Sequence, residues 1–333
     1  MADRCDVAVV GAGVAGRLAW RWLQAAGVDA VLVDQQMQDP LVPLLQVGTA
    51  EPPHRLEAAL GTERARAYVQ LTRQSGGLLR EELEVTAGGW RVGIRDEAKE
   101  LQDAVAASSR LGLESRLTDT PLGRARLVPE DGTVDLSPLT ADIRSSTVTA
   151  IDEGDRLHLH GADLQCEVVL LCGDWRLAQL AGWFADKLTP VRAQALLLDG
   201  AVEAGGSGQW GHLYWANSPD GLLVGGARWA TPHMESGETD PSPNPRVSER
   251  LRAFAAQHWP DATERGERAH IRTYTCDNLP IVGPMPGRSR VVCCAGFGEN
   301  ELALAPVAAR VVVDGVLTGR SDWPGFLAAS RFV

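Results

Sequence analysis

The sequence predicts an α/β fold built of two domains, and three observations predict it. The chain opens with a strand, a glycine turn, a helix and a second strand, and it closes with a strand, a glycine turn and a helix. An irregular mixed stretch lies between these two units, which reads as an insertion into one discontinuous domain. The 333 residues also amount to about twice the ~150 of an average domain.

The elements follow in order. Residues 6–10 are an apolar run read as a buried strand, and a helix over 14–26 ends at Gly27. Residues 30–33 form a second apolar strand closed by Asp34. The stretch from Asp39 to Gly48 is a loop interrupted by Pro40 and Pro43, and 63–84 is a helix rich in Arg and Glu. Residues 85–132 mix strand-like and helix-like pieces with breakers, and 131–138 reads as a turn leading to a helix start. Short strands are expected at 147–151, 157–160 and 167–171, then at 195–198, 212–215 and 222–225. An exposed loop over 235–246 precedes a helix over 247–258. The closing unit pairs a strand at 291–295 with a helix over 302–316. No internal repeat or long low-complexity segment interrupts this order.

Composition narrows the function. Hydrophobic residues make up 44%, which suits a folded core and excludes a disordered chain. With 32 Lys and Arg against 43 Asp and Glu, the net charge is −11. Such a surface repels phosphate backbones and anionic lipid, so neither a nucleic-acid nor a membrane partner is expected. No apolar run reaches the ~20 residues that span a bilayer. The N-terminal charges Asp3, Arg4 and Asp6 do not fit a secretory signal, so a cytoplasmic protein is expected.

Six cysteines form no C-x-x-C, and the reading is buried free thiols. His158 and His160 share a strand face but lack a third ligand nearby, so no metal site is expected. The seven histidines form no recognisable Ser/His/Asp arrangement.

The chemistry begins at Gly11-Ala-Gly13-Val-Ala-Gly16, a G-x-G-x-x-G between a strand and a helix. Gly11 permits a tight turn, Gly13 lets the backbone approach a pyrophosphate, and Gly16 allows close helix–strand packing. Asp34, eighteen residues after Gly16, is placed to accept a hydrogen bond from an adenosine ribose. This pattern predicts a Rossmann-like dinucleotide-binding domain and does not by itself separate FAD from NAD.

The rest of the sequence resembles a known family. Thr275-Cys-Asp277-Asn-Leu-Pro280-Ile-Val-Gly283-Pro284, then Cys294-Ala-Gly296-Phe-Gly298 and Leu302-Ala-Leu-Ala-Pro306, resemble the C-terminal signature of the D-amino-acid oxidase superfamily. Glycine oxidases and sarcosine oxidases are its best-known members. Gly132-Thr-Val-Asp135, Val148, Leu171-Cys-Gly173-Asp-Trp175, Thr189 to Gln194 and Asp220 to Gly226 agree in order, and the likeness is weakest over 36–130.

The resemblance implies FAD as cofactor and a discontinuous FAD-binding domain over 1–84, 133–190 and 265–333. An α+β substrate domain on a mixed antiparallel sheet would fill 85–132 and 191–264. Gly11, Gly13 and Gly16 would then hold the pyrophosphate, Asp34 the ribose, and the backbone at Val148 the adenine. Gly173 and Trp175 would lie along the middle of the cofactor, and Gly296, Phe297, Gly298 and Leu302 beside the flavin's pyrimidine edge. The implied reaction oxidises a C–N bond of an amino acid or amine by hydride transfer to flavin N5, leaving an imine.

Arg272, three residues before Thr275, matches the arginine that binds the substrate carboxylate in glycine oxidases, and Tyr214 matches the substrate tyrosine. The alternatives are a structural Arg272 paired with an acid such as Asp277, and a core Tyr214. His270 shares a strand face with Arg272 and either reaches the site or sits at the surface. Trp175, Trp183, Trp210, Trp215 and Trp229 either line an aromatic pocket or pack in the core.

The chain departs from the family at three places. Glu301 replaces a glycine, Val224 stands where sarcosine oxidases carry a lysine, and 40–48 replaces a Ser/Gly-rich flavin loop. Three other functions stay open on the sequence. One is an NAD(P)H-using monooxygenase or halogenase, whose second flavin motif is not found here. Another is an FAD-binding subunit active only with a partner subunit, and a homo-oligomer is also allowed. The third is a tRNA-modifying oxidase, which the acidic charge disfavours.

Overall fold

The computed structural model describes residues 3–37, 39–320 and 322–333. They divide into two compact units: Met1–Pro40, Ser137–Pro190 and Arg272–Val333 form one, and Leu41–Leu136 with Val191–Ile271 the other.

The first unit is organised by a six-stranded sheet. In chain order its elements are β1 (Val7–Val10), α1 (Val14–Ala25), β2 (Ala30–Asp34), β3 (Ile143–Ser145), β4 (Val168–Leu171), β5 (Ile281–Met285), β6 (Arg288–Ala295) and α2 (Glu301–Thr318). The strand order is β5-β6-β4-β1-β2-β3, parallel except for β5 against β6. The central strands are continuous apolar runs because both faces are covered, as a parallel sheet requires. Val9, Val169, Leu170, Val291 and Cys293 are fully buried.

The order turns back at β1. Chain leaving β1 runs through α1 to β2 on one side, while β4 flanks β1 on the other. Ligand crevices of doubly wound sheets form at such a point, beyond the carboxyl ends of the strands. A small sheet of Asp3–Arg4, Leu164–Cys166, Leu157–His160 and Ala150–Asp152 lies in the same unit.

The second unit carries a larger, mixed sheet. Its order is Glu264–Thr275, Leu188–Leu198, Gly221–Gly226, Leu213–Ser218, Gly206–Gly208, Val85–Val92, Gly123–Val134 and Leu44–Leu45, with Arg116–Thr120 paired to Gly123–Val134. Both Leu188–Leu198 and Glu264–Thr275 pass from one unit into the other. Trp215, Leu196, Val224 and Leu251 fill a core beneath the helix Pro245–His258. That helix starts on Asn244, whose side chain caps the Arg246 N–H, with Pro245 at a position needing no donor.

Several expectations need correction. Residues 41–84, placed with the first domain, belong to the second unit: Leu44–Leu45 pairs with Gly123–Val134, and the helix Thr62–Glu82 buries Tyr68 and Leu79 there. A helix at Pro53–Leu60 was not expected, because its only sequence signal is a proline at the first turn. No helix starts in 131–138. Asp131–Val134 instead ends a twelve-residue strand, since cross-strand pairing to Val85–Ala87 outweighs the local turn chemistry. Val148 sits in the link between β3 and the strand Ala150–Asp152, packed against the core.

The expected exposed loop at 235–246 has a buried polar heart. Arg192 Nε donates to Glu235 Oε2 at 2.7 Å, and Thr231 and Asn244 also donate to Glu235. The Arg192 and Glu235 side chains are 8% and 2% exposed. Burial alone would raise the Glu235 carboxyl, but these donors hold it below its ordinary value. Its stabilising contribution is therefore complete above the ordinary carboxylate range and is lost as pH falls below it. Arg192→Ala strands a buried carboxylate and is expected to cost about 3–5 kcal/mol in chemical denaturation. A loss under about 1 kcal/mol would mean that water solvates Glu235.

Candidate cofactor site

The first unit gathers the glycine motif at the switch point. Leu171 pairs with Val10, so Gly11 lies beside Cys172. Gly11 has φ +111°, and a Cβ there would stand 2.5 Å from the Cys172 carbonyl oxygen. At Gly16 a Cβ would stand 1.8 Å from the Gly11 carbonyl oxygen. These two positions thus require glycine for conformation and for space respectively. The turn aims the first amides of α1, which no intrahelical carbonyl satisfies, past the ends of β1 and β4.

Asp34 ends β2 and reaches this turn: its Oδ2 accepts from Ala12 N at 2.7 Å and its Oδ1 from Gln35 N at 2.6 Å. A carboxylate has about four lone-pair sites, so it retains room for one further hydroxyl. After β4, Gly173 packs on Leu177, and Trp175 N donates to Thr273 Oγ1 at 2.9 Å. The turn before α2 is held by Gly298 N on the Thr273 carbonyl at 2.9 Å and by a bridge between Tyr274 and Phe297. Tyr274 Oη donates to Glu299 Oε2 at 3.3 Å. Leu302, the second residue of α2, is 3% exposed.

Arg17 and Glu301 also stand among these elements. Arg17 is buried on α1, donates to the Leu139 carbonyl at 2.8 Å and pairs with Asp39. Sequence reasoning missed it, although a lone arginine among buried Val14, Ala15, Leu18 and Ala19 was a visible signal. Glu301, the first residue of α2, brings Oε1 to 3.4 Å from Val14 N. Burial raises its carboxyl above the ordinary value, opposed by the Val14 N–H and by the charges of Arg17 and Arg272.

The structure thus brings Gly11, Gly13, Gly16, Asp34, Gly173, Trp175, Gly296, Phe297, Gly298, Leu302 and Arg272 into one unit, with Val148 packed on its core. Tyr214 belongs to the other unit, on Leu213–Ser218, where a Cβ on Gly225 would stand 2.4 Å from its ring. Arg272 and His270 are half-buried on Glu264–Thr275. Asp277 is paired with Arg331 at 2.8 Å. The five tryptophans do not form a single cluster within either unit: Trp183 packs on Phe184 and Phe332, and Trp215 on Phe254 and Trp259. His160 bonds Asp152, and among the described residues no group of His, Cys, Asp and Glu is poised to hold a metal.

The family described as FAD dependent oxidoreductase (DAO) matches residues 6–315. The chain belongs to this family. It is a DAO-type FAD-dependent oxidoreductase, and the resemblance read from its motifs holds. A relative from Caulobacter sp. (strain K31), the tRNA 5-methylaminomethyl-2-thiouridine biosynthesis bifunctional protein MnmC, is 28% identical over 97% of the chain and 56% of its own length. A glycine oxidase from Pseudomonas aeruginosa is 30% identical over 30% of each chain. The matches therefore span about half or less of these curated relatives. Among solved structures, glycine oxidase from Geobacillus kaustophilus superposes with a TM-score of 0.79 at 19% identity, covering 99% of this chain and 100% of that one. That likeness establishes the fold of this DAO-family chain. Among its described residues no helix is long and apolar enough to cross a membrane.

The glycine cluster fits an FAD diphosphate. The three glycines add no side chain of their own at the start of α1, Asp34 ends β2 beside the same turn, and Glu301 Oε1 stands 3.4 Å from Val14 N. The Glu301 carboxylate beside Val14 N carries a charge that opposes that fit.

Proposed function

We propose that the chain binds FAD in its first unit and oxidises the C–N bond of a small amino acid or amine. The observation that carries this reading is the cluster of Gly11, Gly13 and Gly16 at the switch point, in a chain whose family is FAD-dependent. Gly11, Gly13 and Gly16 would hold the diphosphate, Asp34 the ribose, and backbone at Val148 the adenine. Gly173 and Trp175 would flank the middle of the cofactor, with Gly296, Phe297, Gly298 and Leu302 at the flavin. Bound there, FAD supplies a two-electron acceptor for the hydride leaving the substrate's Cα.

The chain's own residues position the substrate. Arg272 offers a planar fork to the substrate carboxylate. Fixing the carboxylate orients Cα and the neutral amine, and positioning of this kind accounts for much of the acceleration. The amine gives up one proton to water, the product is an imine, and water hydrolyses it to a carbonyl compound with release of ammonia, or of a primary amine where the substrate is a secondary amine. No side-chain nucleophile is required.

A second reading has one observation in its favour. The relative matching nearly all of this chain is a bifunctional protein that is longer than the match, so action beside a partner subunit fits as well. The net charge of −11 argues against the isolated chain holding a tRNA.

The test is to purify the chain with FAD and supply amino acids and secondary amines aerobically. Trapping of a carbonyl product with a hydrazine reagent supports the proposal. A flavin-loaded chain that yields carbonyl product only with a second polypeptide supports the second reading, and one that yields none under either condition rejects both.

A further inference from the structure

Glu301 and the cofactor's diphosphate have claims on the same donors. Its Oε1 lies 3.4 Å from Val14 N and 3.3 Å from the position of a Cβ on Gly13. These are the amides that a G-x-G-x-x-G turn presents to a pyrophosphate. Glu301 also begins α2, so its charge faces two helix N-termini and gains from both macrodipoles. A carboxylate so placed is held, and a diphosphate brought to it meets a like charge.

We infer that Glu301 gates cofactor binding: ionised, it competes with the diphosphate for the α1 N-terminus, and protonated it admits it. The inference rests on the FAD reading above. The charges facing Glu301 are Arg17 from α1, Asp39 paired with Arg17, and Arg272 from the strand Glu264–Thr275. Burial has already moved the Glu301 carboxyl upward, and a neighbouring diphosphate moves it further. Binding therefore takes up a proton, and affinity rises as pH falls through the range in which Glu301 titrates.

The test measures FAD dissociation constants by flavin fluorescence, with ADP as competitor, between about pH 5.5 and pH 8.5. Wild type, Glu301→Gln and Glu301→Gly are compared. The wild-type constant is expected to weaken by about tenfold or more across that range, for ADP as well as for FAD. Both variants are expected to bind about tenfold more tightly than wild type at the alkaline end and to vary less than about twofold with pH. A wild type that binds FAD with no pH dependence overturns the gate and leaves the FAD reading standing, as does a Gln variant that binds more weakly. If neither wild type nor the Gln variant binds FAD at any pH, the FAD reading falls and the gate with it.

Discussion

Gly16→Ala is expected to lose FAD binding by at least about a hundredfold and to destabilise the chain. The added methyl would stand 1.8 Å from the Gly11 carbonyl oxygen, a contact only backbone movement relieves, and 3.3 Å from Cys172 Cβ on the other side. Alanine normally favours a helix over glycine by about 1 kcal/mol. Overpacking costs roughly 1–3 kcal/mol, and the displaced atoms here are the turn that points the α1 amides. The clash therefore outweighs the propensity. Gly77→Ala is the control, because a Cβ at this helical position meets nothing within 4 Å. It is expected to be neutral or to stabilise by up to about 1 kcal/mol. Thermal unfolding with and without FAD checks both. Equal behaviour of the two variants would refute the close packing at the motif.

Arg272→Ala is expected to lower kcat/KM for carboxylate-bearing substrates by roughly 30- to 1000-fold, as losing a bidentate charge-assisted pair worth about 2–4 kcal/mol would. The flavin spectrum should stay intact. Arg272→Lys should recover only part, since an ammonium supplies a point charge rather than a fork. The specific sign is in the substrate comparison: amines lacking a carboxylate should lose little. An equal loss for both substrate types would show that Arg272 supports the fold or the cofactor instead.

The first unit was legible in the sequence because its signals are local. The apolar runs of β1, β2, β4 and β6 sit between glycine turns, and each lies within a few residues of its expected place. The motif also fixes which turn faces the crevice. What was not legible depends on distant pairing. Gly132-Thr-Val reads locally as a turn, yet it is a strand because Val85–Ala87 lies opposite. Leu44–Leu45 looks like loop because its partner is nearly ninety residues away. The same limit applies to polar chemistry. Glu235 and Asn244 lie in a stretch that reads as solvated, and only Arg192 from another strand gives them a reason to be buried. Glu301 was visible as a departure from the family pattern, but its approach to Val14 across 287 residues was not.

The central claim is that this chain passes electrons from a C–N bond to a bound flavin. It is tested most directly by anaerobic titration of the FAD-loaded chain with amino acids and secondary amines while the flavin's visible band is followed. Stoichiometric bleaching by one class of amine, with restoration on admitting an acceptor, is the predicted result. A flavin that no amine bleaches, but that NADPH does, would contradict the account and favour a hydroxylase-type reaction.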